Sequence, residues 1–276
     1  MRQTRMTAGG IGTRVLTSGP HHLEEAVVLV HGAPGSADVW RHLQPEIGRF
    51  ARAVSFDLPG YGEADRPDGF PHSVAAYADF IGSMIAELGI TRTHLVMNDI
   101  GGSALAWAAA HPETFGSSVQ INTGIINQMK RWHLVGSLFR APIIGAVGER
   151  IARPLLGPTL WYFDTLPRHS RRELAAGFDR GQRGALRRMY RTVPVNVGHD
   201  LAPRLAALDR PALVIWGARD RFVPPALADQ RTAFPHARVE LLPGSGHYPH
   251  LDDPTTVAAL VTPFLRDHLA PRTTPS

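Results

Sequence analysis

The chain of 276 residues is 43% hydrophobic and 19% charged, enough apolar material for one large core or two small ones and too little charge for a disordered chain. It has no cysteine, which excludes disulfides, thiolate metal sites and a cysteine nucleophile; its net charge of +5 is carried almost wholly by arginine, Lys130 being the only lysine. No stretch has the length of a membrane span, since the most apolar candidate, 134–147, is interrupted by Arg140.

The start MRQTRM runs into Thr-Ala-Gly-Gly rather than an apolar signal core, so a cytoplasmic protein is expected. From there short apolar runs alternate with longer amphipathic segments, the pattern of parallel strands joined by helices. Strands are expected at 26–30, 53–56, 94–97, 119–122, 212–216 and 239–242, and their continuous hydrophobicity suits a sheet covered on both faces. Trp40, Leu43, Ile47 and Phe50 recur at helical spacing, as do Tyr77, Phe80, Ile81, Met84, Ile85 and Leu88. The same holds for Val257, Leu260, Val261, Phe264 and Leu265, with Pro263 expected to kink that helix or end its first half.

The alternation fails between about Gly124 and Arg210. A helical cap at 125–210, inserted into one discontinuous core of 1–124 and 211–276, is therefore predicted. Within it Arg168, Arg171, Arg172, Arg180, Arg183, Arg187, Arg188 and Arg191 crowd together. Glu173 and Asp179 interrupt the run and no aromatic-rich or zinc pattern accompanies it, so solvated helix faces are expected rather than a nucleic-acid partner. The closing PRTTPS reads as a frayed tail.

The chemistry concentrates in LVMNDIGGSALAWAAAHPE, residues 95–113, a buried strand that turns through two glycines into an alanine-rich helix with Asp99 at the corner. Such a corner exposes its central side chain, and the free N–H groups and dipole of the helix favour a carboxylate there or stabilise an oxyanion. The plainer alternative is that Asp99 is an N-cap. The glycines of GGIG and GYG are turn formers without the strand-to-helix setting of a dinucleotide site.

Four further motifs stand in order: VLVHGAPGS (28–36), FDLPGYGEADRP (56–67), WGARDRFVP (216–224) and GSGHYPHLDDP (244–254). Together with the Asp99 corner they resemble the α/β-hydrolase superfamily over nearly the whole chain, in its epoxide hydrolase and haloalkane dehalogenase-like branch. The resemblance implies an α/β fold with a mostly parallel sheet flanked by helices and an inserted helical cap. It also implies a triad of Asp99 as nucleophile, Asp220 as orienting acid and His247 as base, with the backbone N–H groups of Ala33 and Ile100 as oxyanion donors.

An aspartate is already anionic near neutral pH, and its attack on an sp3 carbon leaves an alkyl ester that His247 would help water to cleave. Haloalkane dehalogenases usually carry tryptophan after the nucleophile and a donor side chain in the His-Gly-x-Pro loop; Ile100 and Ala33 supply neither, which favours epoxide opening. Epoxide hydrolases usually protonate the opening oxygen with cap tyrosines. Tyr190 and Tyr162 are the candidates, Tyr190 favoured by its place in the second half of the cap, with Trp161 and Trp132 as lining aromatics or indole donors. Met97 and Asn98 depart from the glycine and histidine usual before the nucleophile in epoxide hydrolases. Ser103 is expected to be a small helix-packing residue.

The expectation is thus a cofactor-independent hydrolase opening an epoxide of a small molecule to a vicinal diol, with no metal, nucleic-acid or membrane partner and the oligomeric state open. Dehalogenation is the alternative among enzymes, and a non-hydrolytic ligand-binding or ring-forming protein the alternative outside them. Trp132, Phe139, Trp161, Tyr162, Phe163 and Phe178 hint at a bulky apolar or aromatic substrate, though a packed cap core explains them equally well.

Overall fold

The computed structural model of the protein describes residues 1–125, 132–142, 165–194, 198 and 200–270. In chain order its elements are strands β1 (Arg2–Ala8), β2 (Ile11–Ser18) and β3 (Glu25–Val30), helix α1 (Leu43–Gly48), β4 (Arg52–Phe56), α2 (Val74–Glu87), β5 (Arg92–Asn98), α3 (Ala104–Ala110) and β6 (Phe115–Ile121). Helices α4 (Leu134–Arg140), α5 (Arg168–Gly177), α6 (Arg180–Thr192) and α7 (Ala202–Leu208) follow, then β7 (Ala212–Gly217), β8 (Arg238–Leu242), α8 (Pro249–Asp252) and α9 (Pro254–His268).

The strands form one sheet in the order β1-β2-β4-β3-β5-β6-β7-β8. From β4 to β8 every pair is parallel, whereas β1 with β2 and β2 with β4 are antiparallel. Right-handed crossovers that move in opposite directions across the sheet place their helices on opposite faces: α2, α3 and α7 pack together, and α9 packs with α1. The six expected strands all form, and the apolar runs Ala26–Val30 and Leu213–Trp216 are wholly buried, as strands between two helical layers must be.

Three features depart from the sequence reading. β1 and β2 make a hairpin over Gly9 and Gly10, both at positive φ (+55° and +78°). Its outer strand is mostly exposed, so no apolar run announces it. Helix α9 runs unbroken through Pro263, which therefore does not end it. Arg183 is buried rather than on an outer face; its guanidinium donates to the Phe178 carbonyl oxygen (2.9 Å).

Between β6 and β7 the described residues are helical or irregular, without a strand. Phe139 and Phe178 are buried there as packing residues. Trp161, Tyr162, Phe163 and the tail 271–276 lie outside the described residues. Among the described residues no helix is long and apolar enough to cross a membrane.

Candidate active site

In a sheet of this order the chain leaves β3 for β4 on one side, while β5 lies on the other. The carboxyl ends of β3 and β5 therefore open a crevice at the point where the winding reverses, which is where open α/β sheets bind ligands. The loop after β3 and the Asp99 corner after β5 form its two walls. Asn122 follows β6, Asp220 follows β7 and His247 follows β8, so the same edge of the sheet gathers every candidate group of the core.

The loop after β3 is fixed from behind. His31 Nε2 accepts from the Leu58 N–H (2.9 Å), so in the neutral ring the Nδ1 hydrogen donates to the Gly32 carbonyl oxygen (2.8 Å). Burial above all lowers the His31 pKa and keeps the ring neutral. The fully buried Asp57 of the FDLPGYG motif accepts from Arg14 Nε (3.0 Å), Ala37 N (2.7 Å) and Glu63 N (2.8 Å). These two motifs thus hold loops; neither residue lines the cavity described below.

Asp99 sits at φ +50°, a conformation that costs a non-glycine residue on the order of 1–3 kcal/mol and persists only where its surroundings over-determine it. Those surroundings are visible. Thr123 Oγ1 donates to the Asp99 carbonyl oxygen (2.6 Å). Gly101 passes so close to β3 that a Cβ would collide with the Val30 carbonyl oxygen. Met97 is buried in the sheet and leaves the sharp corner intact. Asn98, in place of histidine, donates through Nδ2 to the carbonyl oxygens of Ile121 (2.9 Å) and His247 (3.2 Å), tying β6 and the histidine loop to the corner.

The Asp99 carboxylate is not a helix cap. Its Oδ1 accepts from the Ala33 N–H across the crevice (2.8 Å), and the Ile100 amide next in the chain also favours the charged carboxylate. Its Oδ2 lies 3.4 Å from His247 Nε2. His247 Nδ1 lies 2.8 Å from Asp220 Oδ2. Asp220, fully buried at its side chain, also accepts through Oδ1 from Phe222 N (2.7 Å) and Val223 N (2.9 Å). The structure thus brings together all five core residues expected in the site: Asp99, Asp220, His247, Ala33 and Ile100.

The electrostatics follow from this packing. Burial opposes the charge of Asp99, yet the His247 hydrogen bond and charge and the Ala33 and Ile100 amides outweigh it and lower the pKa. Burial likewise opposes protonation of His247, and Asp220 and Asp99 outweigh it, raising the pKa well above the ordinary histidine value. The resting pair is therefore a carboxylate beside an imidazolium.

Asn122, unmarked by any motif, occupies a left-handed position (φ +48°) directly after β6. Its Nδ2 donates to Asp220 Oδ2 (2.6 Å) and to the Gly246 carbonyl oxygen (3.3 Å), and its Oδ1 accepts from Gly217 N (3.0 Å). One buried amide so sets the spacing of the acid and histidine loops. Asn122→Ala is expected to lower the unfolding free energy by about 2–4 kcal/mol, because buried partners are left unpaired. It should also lower turnover through a misplaced Asp220. Chemical denaturation and steady-state rates measured together check both.

Above the carboxylate lies a mostly apolar cavity bounded by Val74, Ile125, Met189, Val193, Leu201 and Phe222, with Asp99 and Ile100 at its base. Ser103, expected only to pack a helix, also lines it. Tyr190 and Trp132 reach the cavity from the helical segment, as expected, whereas Tyr162 and Trp161 lie outside the described residues. Two lining residues with titratable side chains were not among the candidates read from the sequence. Tyr77 lies in the apolar stripe of α2 and looked like core; its hydroxyl is 2.7 Å from His72 Nδ1. His133 caps α4 and touches Tyr190.

With this geometry in view, the model of the alpha/beta hydrolase family matches residues 27–260, and the chain belongs to that family. It is 27% identical over 257 residues to the 2-hydroxy-6-oxononadienedioate/2-hydroxy-6-oxononatrienedioate hydrolase of Burkholderia vietnamiensis, covering 88% of this chain and 87% of that one. A haloalkane dehalogenase loop variant from Bradyrhizobium elkanii superposes with a TM-score of 0.82 at 24% identity, covering 96% of each chain. An epoxide hydrolase from Vigna radiata superposes with a TM-score of 0.78 at 18% identity, over 96% of this chain and 98% of that one. The structural likenesses establish the shared fold.

Proposed function

We propose that this hydrolase opens an epoxide to a vicinal diol through a covalent ester on Asp99, with the segment 125–210 acting as a helical cap over the substrate. The observation that carries the reading is the division of labour between the two Asp99 oxygens. Oδ1 is held by the Ala33 amide, Oδ2 lies 3.4 Å from His247 Nε2, and the carboxylate they belong to lines the cavity. Oδ2 attacks an sp3 carbon, while Oδ1 stays where an oxyanion is stabilised when water later adds to the ester carbon.

Ester formation removes the negative charge of Asp99, one of the groups that hold the His247 proton. The His247 pKa then falls, its proton leaves, and the neutral imidazole, oriented by Asp220, takes a proton from water. Release of the diol carries away Oδ2 and leaves a water oxygen in the carboxylate.

The leaving oxygen of an epoxide needs a proton, and Tyr190 shares the cavity with Asp99. Burial first, and then the nearby Asp99 charge, raise the Tyr190 pKa, so the phenol is protonated at neutral pH. Tyr190→Phe is expected to slow opening of styrene oxide by about 10²-fold, within the range for a positioned general acid, and by more than Tyr162→Phe. Equal wild-type rates in both variants would remove tyrosine from the mechanism.

Dehalogenation is the second reading, favoured by one observation: the Trp132 indole N–H is buried without a hydrogen-bond partner among the described residues. Assay of styrene oxide and 1-bromohexane side by side, with diol and bromide as products, separates the two. Hydrolysis of a dioate, as the name of the Burkholderia relative would suggest, fits less well. No lysine or arginine is among the described residues lining the cavity, and attack of Asp99 on a carbonyl would give an anhydride rather than an ester. The apolar lining suits a neutral substrate, and the reading involves no cofactor.

A further inference from the structure

His133 is the N-cap of α4, and the bond it makes there fixes the position of its hydrogen. Its Nδ1 accepts from the backbone N–H of Gly136 (3.3 Å). An amide N–H only donates, so Nδ1 holds a lone pair and the ring is neutral, its single hydrogen on Nε2. Burial, followed by the charge of His247, pushes the His133 pKa down to about 4, in keeping with that tautomer.

Nε2 lies 3.0 Å from the Tyr190 hydroxyl oxygen. The contact is therefore a donation from His133 to Tyr190, and the phenol cannot return its own hydrogen along the same line. That hydrogen is left for another direction, and the cavity with Asp99 at its base adjoins the residue.

The imidazole is also held by its faces. It meets Tyr190 edge to face at 5.7 Å and Phe222 edge to face at 5.1 Å, and Phe222 rests in turn against His247 at 5.3 Å. A histidine in the helical segment is thus packed through one aromatic ring onto the histidine of the core.

We propose that His133 is a positioning residue that aims the Tyr190 proton at the oxygen leaving the substrate carbon. The proposal rests on the epoxide-opening reading. In the step it serves, Asp99 Oδ2 forms the new C–O bond and the epoxide C–O bond breaks with its electron pair on oxygen. That oxygen takes the Tyr190 proton, and the Nε2–H of His133 stabilises the phenolate until water restores its proton. His133 keeps its own hydrogen throughout.

The two roles of His133 separate by substitution. Asparagine is a preferred N-cap and keeps the bond to Gly136, but it is too short to reach Tyr190. Glutamine places its amide nitrogen near the position of Nε2 and can still donate. The experiment is single-turnover ester formation with enzyme in excess over styrene oxide, followed by quenched mass analysis in wild type, H133N, H133Q, Y190F and H133N/Y190F.

We expect H133N to slow ester formation about tenfold or more, H133Q to recover most of the rate, and H133N to add nothing in the Y190F background. Ester formation at the wild-type rate in H133N, or an equal slowing by H133N with and without the Tyr190 hydroxyl, would overturn the proposal. The reading beneath it fails differently: a full-rate Y190F removes both, whereas a slow Y190F beside a full-rate H133N removes the positioning role alone.

Discussion

Asp99→Ala is expected to reduce turnover of any true substrate by about 10⁵-fold while the protein remains folded, the scale on which loss of a covalent nucleophile is felt. The chemical reason is that no second nucleophile stands in its place. Ser103 is the nearest hydroxyl in sequence, but it lies four residues beyond the corner, at the N-cap of α3, and it is Asp99 that accepts from the Ala33 amide. Folding is expected to survive because Thr123 holds the backbone of residue 99 through its carbonyl oxygen, not through its side chain. A left-handed alanine costs about 1–2 kcal/mol, within the range aspartate already bears at this position, and the variant no longer has to bury a carboxylate. Thermal unfolding together with product formation checks both parts. A ligand-binding protein without hydrolysis would keep its affinity in this variant and would show no turnover in the wild type either.

His247→Gln is expected to divide the reaction in two. Alkylation of Asp99 needs only the carboxylate and a proton donor for the leaving oxygen, so it proceeds. Hydrolysis of the ester needs a base for water and slows by about 10²–10⁴-fold, the usual contribution of general base catalysis. The protein therefore gains the mass of the substrate and holds it, and intact-protein mass spectrometry after brief exposure to styrene oxide reads the gain directly. Steady-state turnover falls to the rate of ester decay. In the wild type the hydrolysis step should quicken as pH rises through the His247 pKa of the ester. That value lies below the resting one, because the Asp99 charge that helped to raise it has been neutralised. Unmodified His247→Gln protein after exposure to a substrate the wild type consumes would count against a covalent route.

The core of the fold was legible because its signals are local. A strand buried on both faces must be apolar along its run, and 26–30, 95–97 and 212–216 are. β1 was illegible for the opposite reason: it is an edge strand whose side chains alternate with solvent, and Arg2, Thr4 and Arg5 give no apolar pattern to read. Of the two outcomes expected at Pro263, an end to the helix does not occur, because a helix packed along the sheet tolerates the one lost hydrogen bond that would weigh heavily in isolation.

At the site, the groups that the sequence marked sit at strand exits within motifs, and Asp99, Asp220 and His247 do converge. The groups that it did not mark act through distant partners. Asn122 is one more polar residue after a strand that already holds Ser117, Ser118 and Gln120, and its bonds run to residues about a hundred positions away. His133, the cap of one helix, meets Tyr190 of another 57 positions away, and no periodicity encodes that packing. Tyr77 shares the stripe of an ordinary core helix, and only its place against the cavity distinguishes it from Phe80.

The central claim is that Asp99 carries the substrate as an ester, and its oxygen atoms report on it directly. One turnover of styrene oxide by excess wild-type enzyme in heavy-oxygen water, followed by mass analysis of the peptide that contains Asp99, is the decisive measurement. The account predicts heavy oxygen in the Asp99 carboxylate and an ordinary oxygen, taken from the enzyme, in the first diol released. Diol that carries the heavy oxygen while Asp99 stays unlabelled would mean that water attacks the substrate itself, and would contradict the account.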